Sequence, residues 1–195
     1  MTHHEISCSF HQLIFIYLFG LIDVSSEKKI MCYTIEINLT REQIEKRFGS
    51  RFRNGKEFTP GRKVSAFGLP SVPVICSDQP EDVKLMTWGL IPYWVKDEES
   101  AKSIRMKTFN ARSETLEEKP SFRNPLKSKR CMVLVNGFYE WQHTGKEKIP
   151  YFIRLKEDIP FALAGLYDNW LNKNTGEMIS TFTIITTPAN PMMEV

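Results

Sequence analysis

The body of this chain is nearly free of histidine. Of four, His3, His4 and His11 precede residue 12, and His143 stands alone in the turn-like "QHTGKEK". A hydrolase built on a serine or cysteine paired with histidine would have to recruit His143, which argues against that class. Metal-binding spacing is missing too. Cys8, Cys32, Cys76 and Cys131 lie far apart with no C-x-x-C pair, so neither a zinc motif nor a small disulfide framework is indicated, and no metal or other cofactor is expected. Free thiols in a reducing compartment are the default for such spacing, and a cytoplasmic location is expected. Long apolar runs are absent as well. "LIFIYLFGLI" (13–22) falls short of the roughly 20 residues a membrane-spanning helix needs. No Lys or Arg precedes it, and "DVSSEKK" after it lacks a small-x-small cleavage site, so neither a membrane span nor a signal peptide is expected.

What is present is globular. With 195 residues, 42% hydrophobic and 25% charged, the length favours one domain and the net charge of +3 is mild. Residues 1–30 read as an extension outside that domain, spurious or processed. The domain reads as 31–195, with Met31 as the true start.

The pattern after Cys32 is mostly strand. "SVPVIC", "VKLMTWGLI", "CMVLVNGFYEW", "YFIRL", "FALAGLYDNW" and "TFTIITT" are short β-branched and aromatic runs between turn signals. "HTGKEK" (143–148) and "NKNTGE" (172–177) look like hairpin loops. One helix is signalled by a capping box at Thr40–Gln43, by Ile44 and Phe48 four apart, and by a stop at Gly49. Residues 95–129 are polar and basic and read as a long functional loop. The expected class is α+β, mainly antiparallel sheet, barrel-like, with a few helices.

Three features carry candidate chemistry. Glu140 is the only charge in "VLVNGFYEW", with Phe138 on its face and Tyr139 and Trp141 on the other. A solvated strand glutamate is the plain alternative, but aromatic neighbours desolvate a carboxylate and raise its pKa toward acid-base use. In "FNARSET", Asn110, Arg112 and Glu114 alternate, so an extended segment turns all three one way. Arg can clamp phosphate and Asn can orient an oxygen, while a surface Arg–Glu pair explains the pattern equally well. Around them lie Lys102, Arg105, Lys107, Arg123, Lys127, Lys129 and Arg130, interleaved with Trp94, Phe109 and Phe122. Cations with flat rings suit single-stranded nucleic acid, although charge runs are more often just solvated.

Cys32 is the third. At a chain terminus it would offer a 1,2-aminothiol, an amine of pKa about 7.7–8.0 beside a thiol of about 8.5. Such a pair condenses with an aldehyde, first as a Schiff base and then as a thiazolidine ring.

Met31-Cys32, "WGLIPYW" (88–94), "NARSET" (110–115), "RCMVLVNGFYEW" (130–141), "FALAGLYDNW" (161–170) and "TIITTPAN" (183–190) together resemble the SRAP family of SOS response-associated peptidase-like proteins. That resemblance implies sensing of abasic sites in single-stranded DNA by a covalent thiazolidine crosslink, carried out by a monomer. It assigns Cys32 as nucleophile, Asn110 to position the sugar and Glu140 to acid-base catalysis. Arg112 would hold phosphate, and Trp94, Trp141 and Thr186 would line the DNA cleft. Two departures stand out: Tyr33-Thr34 replaces the family's Gly-Arg, and the family's "IH…RMP" histidine is not in the sequence, so a C-terminally incomplete domain is expected. An autoproteolytic cysteine peptidase that removes its N-terminal segment, and a non-catalytic single-strand binding module, stay open beside the crosslinking reading.

Overall fold

A computed structural model describes residues 4–8, 32–52, 58–144 and 147–188. The expected start at Met31, most of the 1–30 extension and the last residues lie outside the described residues. Strands in chain order are β1 (His4–Cys8), β2 (Thr34–Ile37), β3 (Gly61–Ser65), β4 (Ser71–Cys76), β5 (Gln79–Trp88) and β6 (Asn110–Arg112). They continue as β7 (Arg130–Val135), β8 (Gly137–Thr144), β9 (Glu147–Leu155), β10 (Phe161–Leu171) and β11 (Met178–Thr186). The helices are α1 (Arg41–Phe48), α2 (Glu98–Arg105) and α3 (Arg123–Ser128).

Two sheets divide these strands. One runs β1-β9-β8-β2-β3. The other runs β10-β7-β4-β5-β11-β6, and β10 also pairs with β11, so β10, β7, β4, β5 and β11 close into a barrel with β6 alongside. Closure removes the open edges that a sheet of apolar strands would otherwise present. Most pairings are antiparallel; β1–β9, β5–β11 and β6–β11 are parallel. The class is α+β with predominantly antiparallel sheet, as the strand-and-turn pattern implies.

Val72, Val74, Val133, Leu163 and Phe182 fill the barrel, with Trp88 stacked on Phe182 at 6.0 Å between ring centroids. Ile35, Phe138 and Ile153 carry the same core under the first sheet, so one apolar layer joins both sheets. Each such side chain contributes roughly 1.5–3 kcal/mol by leaving water.

The capping box forms as read. Thr40 accepts from the Gln43 amide, and Gln43 Oε1 accepts from the Thr40 amide at 2.8 Å. Ile44 is fully buried and Gly49, at φ 71°, ends the helix. The "NKNTGE" loop joins β10 to β11, whereas at 143–148 the strands run further, pairing His143 with Lys148 and Thr144 with Glu147.

The stretch 95–129 is not one long loop. It holds α2, β6 and α3. Helix α2 is made by local signals that a basic-belt reading passes over. The Asp97 side chain accepts from the Ser100 amide at 2.7 Å, Glu98 and Glu99 sit in the first turn, and Lys102 and Arg105 in the last. Acid at the start and base at the end complement the helix dipole. Among the described residues, no helix is long and apolar enough to cross a membrane.

Candidate functional site

Cys32 enters the fold immediately before β2. Thr34 pairs with Tyr139 of β8, so the entrance to β2 lies beside the strand that carries Glu140. Cys32 is 2% exposed, and its Sγ lies 3.7 Å from the Thr34 carbonyl oxygen. Burial pushes the thiol well above its ordinary pKa and the charge of Glu140 pushes it further, while the bond to Thr34 opposes both.

Glu140 shares a face of β8 with core residue Phe138. Burial raises its carboxyl to about 7, against a weaker opposing bond from the Trp141 amide. Its Oε1 is enclosed and has no hydrogen-bond partner in the protein. Strand β8 is held tightly here. A Cβ added at Gly137 would stand 2.5 Å from the Phe152 ring and 2.7 Å from the Ile153 carbonyl oxygen, so only glycine lets β9 approach.

Asn110 and Arg112 come from β6, which pairs in parallel with Ile184 and Thr186 of β11. Phe109 pins this strand: its carbonyl accepts from Trp88 Nε1 at 2.9 Å and from the Ile184 amide at 3.1 Å. Both amide atoms of Asn110 and the Thr186 hydroxyl are enclosed without partners. An unpaired buried polar group costs about 1–3 kcal/mol, so such a cluster is suited to a polar occupant. The strand ends at Arg112, and a 3-10 turn over Ser113–Thr115 takes Glu114 away from it, where it accepts from the Ser113 hydroxyl. Glu114 therefore does not continue the Asn110–Arg112 row.

A cavity of about 160 Å³ opens here, lined by Tyr33, Met106, Lys107, Phe109, Asn110 and Arg112. Tyr33 and Phe67 lie 5.2 Å apart between ring centroids, and Phe67 meets Phe109 edge-on at 5.4 Å. Phe67 is 59% exposed, so an aromatic wall runs from the cavity to solvent. Sequence reasoning missed Tyr33, Phe67 and Met106, whereas Lys107, a member of the basic belt, does line the cavity. The signal was an exposed aromatic between two strands, which only the sheet pairing turns into a cavity wall.

The remaining candidates are scattered. Phe122 is a core residue, 7% exposed, and Phe109, though it lines the cavity, is 2% exposed, so neither offers a flat surface to a base. Trp94 is 44% exposed on the segment between β5 and α2. That segment is tied down by buried Asp168, whose Oδ2 accepts from the Tyr93 amide at 3.0 Å and whose Oδ1 accepts from Lys129 Nζ at 2.5 Å. Lys129 thus leaves the basic belt for a structural pair. Trp141 is half-buried on β8 next to Glu140, and neither tryptophan nor Thr186 lines the cavity. Among the described residues, no three His, Cys, Asp or Glu side chains are grouped to hold a metal.

The family described as SOS response associated peptidase (SRAP) matches residues 31–195. "Abasic site processing protein YoqW" of Bacillus subtilis is 53% identical over 110 residues, which is 56% of this chain and 47% of that protein. "Abasic site processing protein HMCES" of Gallus gallus is 40% identical over 124 residues, covering 54% and 37% respectively. A crystal structure of a protein from Bacteroides thetaiotaomicron is similar at TM-score 0.77 and 41% identity, over 83% of this chain and 70% of that one. This chain spans about half the length of the curated relative YoqW. With the family's match covering everything from Met31 onward, the chain belongs to the SRAP family.

Proposed function

We propose that this protein recognises abasic sites in single-stranded DNA and captures them as a thiazolidine on Cys32. The observation that carries this reading is that buried Cys32 precedes β2 beside the strand that holds Glu140, with Tyr33 leading directly from the cysteine into the cavity.

An abasic deoxyribose in its open form presents an aldehyde. The Cys32 α-amine adds to that carbon and its proton passes to oxygen, giving a carbinolamine. Protonated Glu140 then supplies a proton to the hydroxyl, which leaves as water, and an iminium forms. The carboxylate takes the Cys32 thiol proton, sulfur closes on the iminium carbon, and the acid form of Glu140 is restored. One water is lost overall. A carboxyl with pKa near 7 holds both forms at neutral pH, as a group that donates and then accepts must.

The Asn110 amide supplies a donor and an acceptor for the sugar hydroxyls, and Arg112 with Lys107 supplies charge for flanking phosphates. The exposed rings of Phe67 and Trp94 suit unstacked bases. The chemistry uses the α-amine of Cys32, so it belongs to the form in which residue 32 is first.

The test is a denaturing gel of the Cys32-first protein with a single-stranded oligonucleotide carrying one abasic site. A slow-migrating, heat-stable species is expected, absent with undamaged DNA and with Cys32→Ala. An adduct of equal yield from Cys32→Ala would overturn the proposal.

A further inference from the structure

Strands β4 and β7 set two cysteines directly opposite each other, Cys76 and Cys131, both buried and free. The hydrogen bonding fixes what kind of pair this is. The Ser77 amide donates to the Arg130 carbonyl at 2.9 Å, so Ser77 and Arg130 occupy a hydrogen-bonded position of the antiparallel ladder. Positions alternate along such a ladder, which makes Cys76–Cys131 a non-hydrogen-bonded pair. There the Cα atoms approach to about 4.5 Å and the side chains are at their closest. A disulfide bridges Cα separations of about 4.4–6.8 Å. The register thus places the two Cα atoms within the range a bridge spans.

The sulfur of Cys131 is placed by the strand on its other side. Gly165 of β10 pairs with Cys131 on its other side, and a Cβ there would stand 3.0 Å from the Cys131 sulfur. Sγ therefore now lies toward β10, and bridging to Cys76 requires a change in its χ1.

We propose that Cys76 and Cys131 form a redox-active dithiol whose disulfide fastens β4 to β7. The bridge would close a loop from residue 76 to residue 131. That loop contains β5, α2 and β6, including Asn110, Arg112 and every cavity-lining residue except Tyr33. Oxidation would lock the frame of the cavity without touching Cys32.

The exchange needs an oxidant, and a low-molecular-weight disulfide supplies it. Cys131, the more exposed of the two at 6%, attacks one sulfur of the oxidant and expels one thiol. Cys76 then attacks Sγ of Cys131 and expels the second. Two electrons pass from the protein thiols to the oxidant, and two protons go with the released thiols. Thiol–disulfide exchange runs in both directions, so a reductant of the same class reopens the bridge and the lock is reversible. Burial raises both thiols, Cys76 to about 11, so the reaction is slow in the closed barrel and faster in mildly alkaline buffer. Asp78, Lys84 and Tyr167 are the ionisable neighbours that also act on the pair.

The whole folded chain is incubated with cystamine in mildly alkaline buffer, the remaining thiols are alkylated, and a digest is mapped by mass spectrometry. A linked Cys76–Cys131 peptide that disappears on reduction is expected. The melting temperature of the oxidised protein should rise by on the order of 10 °C and return on reduction. Cys76→Ala should lose both effects. The proposal is overturned if the folded chain yields no linked peptide while the urea-unfolded chain does. It is equally overturned if the bridge forms and the melting temperature does not rise.

Discussion

Glu140 lies close enough to Cys32 for its negative charge to raise the pKa of a thiol that burial has already raised. Glu140→Gln removes that charge and leaves the burial. The Cys32 pKa should fall, read as a downward shift in the pH dependence of its alkylation by iodoacetamide. Crosslinking to abasic DNA should slow by roughly 10²–10⁴-fold with noncovalent binding near normal. An unshifted alkylation profile would separate the two residues, and an unslowed crosslink would leave Glu140 a structural role only.

The same carboxyl makes stability depend on pH. Its folded value is about 7 against a reference of 4.5, so between those values the folded state holds the proton more tightly than the unfolded chain. The associated stability is fully present below 4.5 and is lost as pH rises through 7. The loss amounts to roughly 3 kcal/mol. Urea unfolding at pH values on either side of that window should show this loss, and Glu140→Gln should flatten it. Parallel profiles for the two proteins would contradict the assignment.

Arg112→Ala should weaken binding to undamaged single strands equally on different sequences. One phosphate contact is lost, so the slope of log affinity against log salt should fall by about 0.7. A change confined to one sequence would mean that Arg112 reads a base instead.

Asp168→Ala strands the Lys129 ammonium and the Tyr93 amide, both now bonded to a fully buried carboxylate. The loss should be roughly 3 kcal/mol in chemical denaturation. Trp94 fluorescence should show its segment loosening before the barrel melts. A loss below about 1 kcal/mol would place this pair with weak surface ion pairs.

Local features were legible in the sequence and long-range ones were not. Thr40 and Gln43 act within the first turn of helix and Gly49 on the last, so these local signals predict α1 without knowledge of its neighbours. Asp97 and Ser100 carry the same kind of signal for α2, but the cations that follow draw the eye to charge instead. Glu140 was legible because aromatic neighbours in one strand already imply desolvation. The cavity was not, since it needs Tyr33 before β2, Met106 after α2 and Asn110 on β6 brought together by strand pairing. Phe109 shows the limit most clearly. A ring among cations suits a base-stacking surface and a core equally, and only the placement of Trp88 against it decides for the core.

The central claim is that Cys32 reacts as a terminal aminothiol. An amide nitrogen between Met31 and Cys32 cannot form a Schiff base, whatever the thiol does. The most direct measurement compares two proteins on the same abasic single strand, one retaining residues 1–31 and one beginning at Cys32, with noncovalent binding to undamaged DNA measured for both. The account predicts a heat- and denaturant-stable adduct from the Cys32-first protein alone, with mass equal to protein plus DNA less one water. Equal yields of stable adduct from both proteins would contradict it and leave Cys32 an ordinary thiol or a bystander.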